Sequence, residues 1–482
     1  MGLLQASGPR VFFDPRGLPF TPDPMETLRV CAIWAGYASA LIAGGGFFRD
    51  ERRRRGALWF FAGLGVAISV VGIIQASAGN TAYYGLRRIR HGEVFGPYTD
   101  RDNAGDLLMM SLAVALGLLA TQWRWTSERE KVGDRLEDIS RLAVMAVPAG
   151  IISVGLWATR SRGAIVSLYS ALLFLLVGRA ATARGQRRRA AIVAAAATAF
   201  GGITFATRLP WIVGFGSNWP DHSTAYRLSI WASAWRQFQD FPLWGAGLGT
   251  AMRAFPAYKN PFVIGIVEHA HDDWLEILLE VGGVAGVLGI LGIWRSVGTL
   301  VRRAIVPRDD GNELPFSLAV AVLAFVLHSF VDFNLHIPAN GAVFFFLLGL
   351  LAAALTSTNG SDLTSGLRRL FLAPVLLGLW FVPGEIIRWR QYGMTPAAAF
   401  GALEAVPPSM RTPIFRRTLI RRGLEALGEG RIGDVRFRRR ISWDAQMELA
   451  FDPASPVDQG LFSALEGPAV RSSRSSAYME EP

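Results

Sequence analysis

The residues best suited to chemistry lie in one polar segment, residues 207–273, between two strongly apolar stretches. The segment contains Arg227, and it ends in the run Glu268-His269-Ala270-His271-Asp272-Asp273. A histidine can exchange a proton near neutral pH, whereas a guanidinium stays charged and binds an anion through two parallel hydrogen bonds. The segment therefore combines candidate bases with a candidate anion-binding group.

His271 is the candidate catalytic base. Asp272 and Asp273 precede an apolar run that begins at Trp274, so we expect them to cap a helix and to place His271 at its N-terminal edge. The helix dipole disfavours imidazolium and a nearby carboxylate favours it, which predicts a histidine that accepts a proton at neutral pH. His269 and Asp272 are candidate supporting residues. The alternative is that both histidines lie in a loop at the membrane surface and have no catalytic role.

A metal site is a weaker interpretation of the same run. His269, His271, Asp272 and Asp273 offer ligand atoms, but they crowd into one short segment and no distant ligand is evident. We therefore predict no metal and no cofactor. The single cysteine, Cys31, excludes an intramolecular disulfide and a multi-cysteine zinc site.

Two arginines in the segment Arg160-Ser161-Arg162-Gly163 form a second candidate element. The segment is a short turn between apolar blocks, where a guanidinium must reach water, lipid headgroups or an anionic ligand. Together with Arg227, Arg160 and Arg162 would suit a diphosphate at a membrane surface. The alternative is ordinary contact between turn arginines and lipid headgroups.

Polar residues also interrupt the apolar sequence HSFVDFNLHIPAN at 328–340. His328 and Asp332 are four residues apart, which predicts a shared helix face, and Asp332 and His336 are candidate supporting residues. Ionisable residues within membrane spans are commonly functional. An equally open alternative is a set of interhelical hydrogen bonds that holds the bundle together. The glycines of PLWGAGLG at 242–249 predict a tight turn.

The elements that must position these residues are predicted to be membrane helices. Apolar residues make up 51% of the 482 residues, and the mean hydropathy is +0.30. They form blocks close to the ~20 residues that cross a bilayer. The predicted spans are 28–48, 57–78, 105–121, 142–158, 163–179, 190–206, 274–294, 316–334, 337–356 and 370–387. The sequence thus predicts an all-α polytopic membrane protein with about ten transmembrane helices.

Arginine-rich loops follow alternate spans, which predicts that these loops face the cytoplasm. The turn at 160–162 and the large loop at 207–273 would then lie on the external face. Residues 1–27 are predicted to be an external lead-in, 28–388 a transmembrane bundle, and 389–482 a soluble basic tail, partly helical and then disordered. Cytoplasmic arginines explain most of the net charge of +11, so no nucleic-acid partner is expected.

Taken together, the motifs resemble the O-antigen ligase and polymerase superfamily of bacterial inner membranes. The resemblance covers about 28–356 and is carried by SRGA at 161–164, YRLSIWASAWRQFQDFPLWGAGLGT at 226–250, EHAHDDWLEILLEVGGVAGVLG at 268–289 and HSFVDFNLHIPAN at 328–340. One departure concerns an Asn-Arg-Asn-His-Phe-Ala-Gly-like stretch of the family. This chain has Asp100-Arg101-Asp102-Asn103-Ala104-Gly105 there, so Arg101 is retained and the histidine is absent.

The resemblance implies a metal-independent glycosyltransferase of the inner membrane that acts at the periplasmic face. The donor would be an undecaprenyl-diphosphate-linked glycan, and the acceptor a sugar hydroxyl of lipid A core or of a growing glycan. By motif position, Arg162 and Arg227 match the diphosphate-binding arginines of the family, and His271 matches its essential histidine. Ligases, polymerases and protein-glycosylating relatives all need these groups, so the motifs do not separate them.

A transporter or flippase for lipid-linked sugars is the alternative class, because the same arginines and histidine could recognise and release the lipid without breaking a bond. Transporters commonly contain internal repeats and helices broken at the bilayer midplane. The sequence indicates neither, since its polar residues gather in one loop and at one predicted face.

Overall fold

The computed structural model describes residues 24–78, 82–83, 87–88, 94–127, 132–208, 222–260, 262–263, 267–308, 312–355, 390, 394–407, 418–419, 422–423 and 425–426. The described chain is helical apart from turns, one isolated bridge and two short antiparallel strands, β1 (Ala82–Tyr83) and β2 (Arg87–Arg88). The predicted tenth span, 370–387, and most of the predicted tail lie outside the described residues.

The helices follow one another as α1 Pro24–Gly46, α2 Glu51–Ser77, α3 Arg101–Ser127, α4 Val132–Ala158, α5 Arg162–Thr182, α6 Gly185–Arg208, α7 His222–Asp240, α8 Ala251–Ala254, α9 Asp273–Ala304, α10 Leu314–His328, α11 Pro338–Leu355 and α12 Pro396–Glu404. Short 3₁₀ turns occur at Phe47–Arg49, Phe255–Tyr258 and Asn334–His336.

Six described helices are long and apolar enough to cross a membrane, namely Glu26–Arg49, Glu51–Ser77, Arg101–Trp123, Arg162–Thr182, Asp273–Ala304 and Pro338–Leu355. The apolar helices Leu142–Ala158 and Leu314–His328 are shorter. Helix α6 covers the predicted sixth span, but its alanines and arginines make it less apolar. The described part of the chain is thus consistent with a polytopic membrane protein, while the count of ten spans stays a prediction.

Helices α3 and α10 form the buried centre of the bundle. The α3 residues Leu107, Leu108, Met109 and Met110 are almost completely buried, and nearly every residue of α10 is buried. The two helices contact each other, with α2 and α4 packed on α3 and with α5, α9 and α11 packed on α10. Because both helices are shielded from lipid, they can carry polar side chains at one end.

Small residues let α1 and α11 cross closely. A Cβ atom added at Gly44 would lie 2.3 Å from the backbone oxygen of Phe346, and one added at Gly349 would lie 2.2 Å from the oxygen of Leu41. Such small-residue contacts are a common means of packing membrane helices, because the backbones can then approach each other. This contact joins the first and last described spans.

The end of α10 differs from the prediction. The eighth span was expected to continue to residue 334, but α10 ends at His328 and Asp332 lies in the following turn. His328 and Asp332 therefore do not share a helix face. The α-helical hydrogen-bond pattern ends here, because the N–H of Val331 donates to the backbone oxygen of His328, three residues earlier, at 2.9 Å. Burial within protein makes such irregular backbone tolerable in a membrane bundle.

Candidate functional site

The candidate residues gather at one end of the bundle, which we call the polar end. It comprises the 160–162 turn, the first turn of α3, helix α7, the start of α9 and the segment 329–336. A Cβ atom added at Gly105 of α3 would lie 2.7 Å from Cβ of Ser161, and one added at Gly163 would lie 2.6 Å from Nε2 of His328. These close approaches bring α3, the arginine turn and the end of α10 together.

His271 lies immediately before α9 and faces Asp332. Its Nδ1 atom is 3.7 Å from Oδ1 of Asp332, whose side chain is buried. Neither of these two atoms has a hydrogen-bond partner among the described residues. The backbone of His271 has a φ of 53°, a left-handed conformation that few residues other than glycine adopt. Strained backbone of this kind occurs preferentially at functional sites.

Hydrogen bonds to both backbone polar groups of Ala270 hold this strained segment in place. Its N–H donates to Oε2 of Glu276 at 2.7 Å, and its carbonyl accepts a hydrogen bond from Nε1 of Trp231 at 3.0 Å. Trp231 belongs to α7 and Glu276 to α9, so two helices fix the residue that precedes His271. The sequence did not indicate a role for either Trp231 or Glu276.

Asp272 caps α9, as predicted, because its Oδ1 atom accepts the N–H of Leu275 at 3.0 Å. Burial, with the neighbouring Asp273 and Glu276 carboxylates, raises the pKa of Asp272 to about 6 even though this hydrogen bond opposes the shift. The prediction that Asp273 is a second cap is wrong. Its buried carboxylate accepts the N–H of Leu335 at 3.0 and 3.1 Å, and therefore ties the start of α9 to the segment 329–336.

A buried amide network surrounds the second oxygen of Asp332. Oδ2 accepts hydrogen bonds from Asn334 at 2.9 Å and from Asn103 at 3.4 Å. Asn340 donates to Oδ1 of Asn334 at 2.8 Å, and Tyr98 donates to Oδ1 of Asn340 at 2.6 Å. The hydrogen bonds between helices that the sequence offered as an alternative role are therefore present. They hold the Asp332 side chain in position beside His271.

The electrostatic surroundings keep Asp332 ionised. Burial alone would raise its pKa, but the neighbouring His271, together with the positive charges of His328 and Arg227, holds the pKa of this carboxyl below its ordinary value. A carboxylate beside a histidine can orient the imidazole and stabilise the imidazolium that forms when the histidine accepts a proton. The Asp332 carboxylate thus lies within ion-pair distance of His271, without a hydrogen bond between them, and would stabilise an imidazolium there.

Arg227 extends from α7 to the first turn of α3. Its Nη2 atom lies 2.9 Å from Oδ2 of Asp102, and both side chains are about one-fifth exposed. A guanidinium held in this way remains accessible to an anionic ligand at the same end of the bundle that carries His271. Asp102 was not predicted as part of the site.

The turn arginines flank Ser161, which lies against Gly105 of α3. Arg160 is exposed and has a φ of 57°, and Arg162 is half-buried as the first residue of α5. Ser161 between them is buried, and its hydroxyl accepts the N–H of Ala164. The structure thus brings the turn to the polar end, with Arg160 facing outward.

His269 and His336 meet at a second acidic cluster. Nδ1 of His269 lies 2.9 Å from Oε1 of Glu276, and Nδ1 of His336 lies 2.8 Å from Oδ1 of Asp273. Burial alone would lower the pKa of His336, but Glu276, Asp273 and Glu280 raise it well above its ordinary value. Acids inside apolar spans could have indicated this cluster, because Glu276 and Glu280 are four residues apart in the predicted seventh span. The same signal applies to Asp106, which contacts His328 at 3.1 Å.

The glycine turn packs on a break in α9. Gly282 has φ 79° and ψ 173°, so the helical hydrogen bonds are interrupted there. The N–H groups of Ala246 and Gly247 donate to the carbonyls of Leu279 at 2.7 Å and Glu280 at 3.0 Å, and the N–H of Gly283 donates to the carbonyl of Pro242 at 2.7 Å. The segment 242–249 is therefore a turn, as predicted, and it also supplies the partners that the broken helix lacks.

A family model described as O-antigen ligase matches residues 147–290. The matched region extends from α4 into α9, and it contains Arg160, Arg162, Arg227, His269 and His271. The comparison with curated proteins gave no match. The match indicates a glycosyltransferase of the O-antigen ligase or polymerase type in a bacterial membrane. Residues 147–290 are thus similar to the O-antigen ligase family, the resemblance that the motifs predicted.

Proposed function

We propose that the polar end transfers a glycan from an undecaprenyl-diphosphate donor to a sugar hydroxyl at the periplasmic face of the inner membrane. The observation that carries this proposal is the pairing of His271 with the ionised Asp332, close to the Arg227–Asp102 pair. A base with an orienting acid and an anion-binding group are the two parts that such a transfer requires.

In the proposed reaction, His271 accepts the proton of the acceptor hydroxyl as its oxygen bonds to the anomeric carbon of the donor. The bond between that carbon and the diphosphate oxygen breaks, and the lipid diphosphate leaves with the bonding electrons. Asp332 stabilises the imidazolium, while Arg227, with Arg160 and Arg162, stabilises the charge on the leaving group. Electrostatic stabilisation of the leaving group would be the larger contribution.

Asp102 would hold Arg227 in place before the donor binds. A diphosphate carries more negative charge than one carboxylate and can accept two parallel hydrogen bonds from a guanidinium. Donor binding would therefore draw Arg227 from Asp102 towards the diphosphate. The side chain is half-buried, which limits the number of rotamers that it must lose on binding.

The identity of the acceptor distinguishes a ligase from a polymerase. A ligase would use a sugar of lipid A core, and a polymerase would use the growing lipid-linked glycan. We favour a ligase or a related exopolysaccharide polymerase. Analysis of glycan size in a strain that lacks the protein separates the two, because loss of a polymerase shortens the glycan whereas loss of a ligase leaves full-length glycan on the lipid carrier.

The proposal is tested by reconstituting the full chain in liposomes with a lipid-diphosphate-linked glycan and an acceptor glycan. Release of free lipid diphosphate is measured. We expect release by the wild type and a loss of about 10²- to 10⁴-fold in His271→Ala, the range of general-base catalysis. The variant must be inserted and monodisperse. Retained release in His271→Ala would refute the mechanism, and movement of intact donor without release would favour a transporter.

A further inference from the structure

His336 lies among the buried carboxylates of Asp273, Glu276 and Glu280, and the proposed transfer reaction gives this cluster no role. Its Nε2 atom is 3.7 Å from Oε1 of Glu276 and 3.7 Å from Oε2 of Glu280, with the side chains of His336 and Glu280 9% and 3% exposed. Nε2 of His336 and Oε2 of Glu280 have no hydrogen-bond partner among the described residues. A separation of 3.7 Å is too long for a hydrogen bond, and a buried polar atom without a partner is destabilising.

His269 completes the group of candidate ligands. Nδ1 of His269 lies 2.9 Å from Oε1 of Glu276, and the candidate ligand atoms of His269, Glu276 and His336 all lie within 4.8 Å of one another. The sequence argued against a metal because no ligand distant from the 269–273 run was evident. The fold supplies one, since His336 comes from the segment after α10 while Glu276 and Glu280 lie one turn apart on α9.

The separations agree with a tetrahedral ion. Zinc binds histidine nitrogen and carboxylate oxygen at about 2.0 to 2.2 Å, so tetrahedral ligand atoms lie roughly 3.3 to 3.5 Å apart. The separations of 2.9 and 3.7 Å between Oε1 of Glu276 and the nitrogens of His269 and His336 lie on both sides of this value. Two imidazoles and one carboxylate are also a donor set that zinc sites use.

Asp273 supplies the outer contact that metal-binding histidines usually have. Its Oδ1 atom lies 2.8 Å from Nδ1 of His336, so a proton on Nδ1 leaves the lone pair of Nε2 directed towards Glu276 and Glu280. Within the described part of the chain, the three acids form ion pairs with His269 and His336 and with no arginine or lysine. A divalent cation that replaced the protons of these imidazoles would offset the buried negative charge.

We infer that His269, Glu276 and His336 bind one divalent transition-metal ion, with zinc as the best fit, that the Glu280 carboxylate adds negative charge beside it, and that Asp273 orients His336. The ion would have a structural role, because it would join the loop that carries His271 to α9 and to the 334–336 turn. His271 is not a ligand, so the proposed proton transfer does not involve the metal. The inference therefore goes beyond the proposed function and does not depend on it.

The test uses the full chain, purified in detergent with any affinity tag removed and treated with a chelator. Zinc is added back, unbound metal is removed, and zinc per chain is measured by mass spectrometry, with affinity determined by competition against a chromogenic chelator. We expect one tightly bound ion per chain. Glu280→Gln and Asp273→Asn should each weaken binding by at least about 10-fold, since even loss of an outer-sphere partner costs about 10- to 100-fold.

His271→Gln is the matched control, because it alters a histidine of the same segment that is not a proposed ligand. It should retain zinc while it loses glycan transfer, so failure of the metal inference and failure of the proposed function are distinguishable. Zinc should also raise the melting temperature of the wild type more than that of Glu280→Gln. The inference is overturned if the wild type retains no ion at micromolar zinc, or if Glu280→Gln and Asp273→Asn bind zinc as tightly as the wild type.

Discussion

At the scale of single residues, the backbone of His271 is held in a conformation that its sequence neighbours alone would not favour. The φ of 53° is maintained because Ala270 is hydrogen-bonded on both sides and Asp272 caps the following helix. A positive φ costs an ordinary residue roughly 1 kcal/mol or more. The surrounding contacts offset this cost and direct the imidazole towards Asp332.

The role of Asp332 predicts the behaviour of Asp332→Asn, which keeps the size of the side chain and removes its charge. We expect transfer to fall by about 10- to 100-fold, less than in His271→Ala, because the base remains but loses its orienting acid. Release of lipid diphosphate measures this fall, and an unchanged rate in Asp332→Asn would remove Asp332 from the proposed reaction.

Arg227 is predicted to need its planar guanidinium. Arg227→Lys keeps the charge but removes the two parallel hydrogen bonds, so donor affinity in a liposome binding assay should fall by about 10-fold. Reversal of the charge in Arg227→Glu should weaken it further. Arg236→Ala is the control, because Arg236 is exposed on the same helix and its guanidinium contacts Ser233 of that helix. Donor affinity that is unaffected by both changes at Arg227 would remove this arginine from the site.

The raised pKa of Asp100 predicts that the stability of the protein depends on pH. Burial and the nearby Asp102 and Asp332 raise its pKa to about 6, against about 3.9 in an unfolded chain. Between these values the folded chain retains a proton that the unfolded chain has lost, so its contribution to stability falls as the pH rises from about 4 to about 6. Asp100→Asn keeps the bond from the N–H of Asp102 and should show a smaller fall in melting temperature over this range. Parallel curves for the two proteins would contradict this account.

At the scale of elements, the broken helix α9 and the glycine turn depend on each other. A Cβ atom at Gly282 would lie 2.1 Å from the oxygen of Leu243, and one at Gly245 would lie 2.4 Å from the oxygen of Glu280. Both glycines also have positive φ. An alanine at either position would therefore clash with neighbouring backbone and would also adopt a strained backbone conformation. The break directs the first turns of α9, with Glu276 and Glu280, towards the segment 329–336.

Gly282→Ala should therefore lower the melting temperature and reduce transfer, because the helix must shift away from the glycine turn. Thermal unfolding of the detergent-purified chain measures the first effect, and release of lipid diphosphate the second. Gly289→Ala is a matched control on the same helix, since nothing lies within 4 Å of a Cβ atom there. It should be neutral or slightly stabilising, by up to about 1 kcal/mol. Equal effects of the two changes would refute the proposed dependence.

At the scale of the whole molecule, the bundle shields a polar end with apolar helices. The central helices α3 and α10 carry Asn103, Asp106 and His328 at this end, where other helices separate them from lipid. The close crossing of α1 and α11 closes one side of the bundle. Tyr37 of α1 also donates to the carbonyl of Leu335 at 2.8 Å, which connects this crossing to the segment that carries His336.

Disruption of the crossing should therefore affect the site from a distance. In Gly44→Leu, the added side chain would meet the backbone of α11, and we expect a lower melting temperature together with reduced transfer. Gly36→Leu, on the same helix and with nothing within 4 Å of a Cβ atom, should leave the melting temperature nearly unchanged. Thermal unfolding followed by size-exclusion chromatography gives the comparison. Equal melting temperatures in the two variants would show that the crossing does not hold the bundle together.

The sequence alone was enough to predict the helical membrane architecture, the similarity to the O-antigen ligase family and the segments that contain His271, Arg227 and the arginine turn. These follow from local information, because hydropathy, cap residues and motifs are read along the chain. It did not predict the end of α10 at His328 or the break at Gly282, since both depend on hydrogen bonds to segments distant in the sequence.

Which side chains meet could not be predicted from the sequence. Asp332 faces His271, 61 positions away in the sequence, and does not share a helix with His328, while Asp102 holds Arg227 from a different helix, 125 residues away. Glu276, Glu280 and Asp273 likewise surround His336. A pattern along the chain shows which residues carry charge, but the packing of α3, α7, α9 and α10 determines which charges become partners.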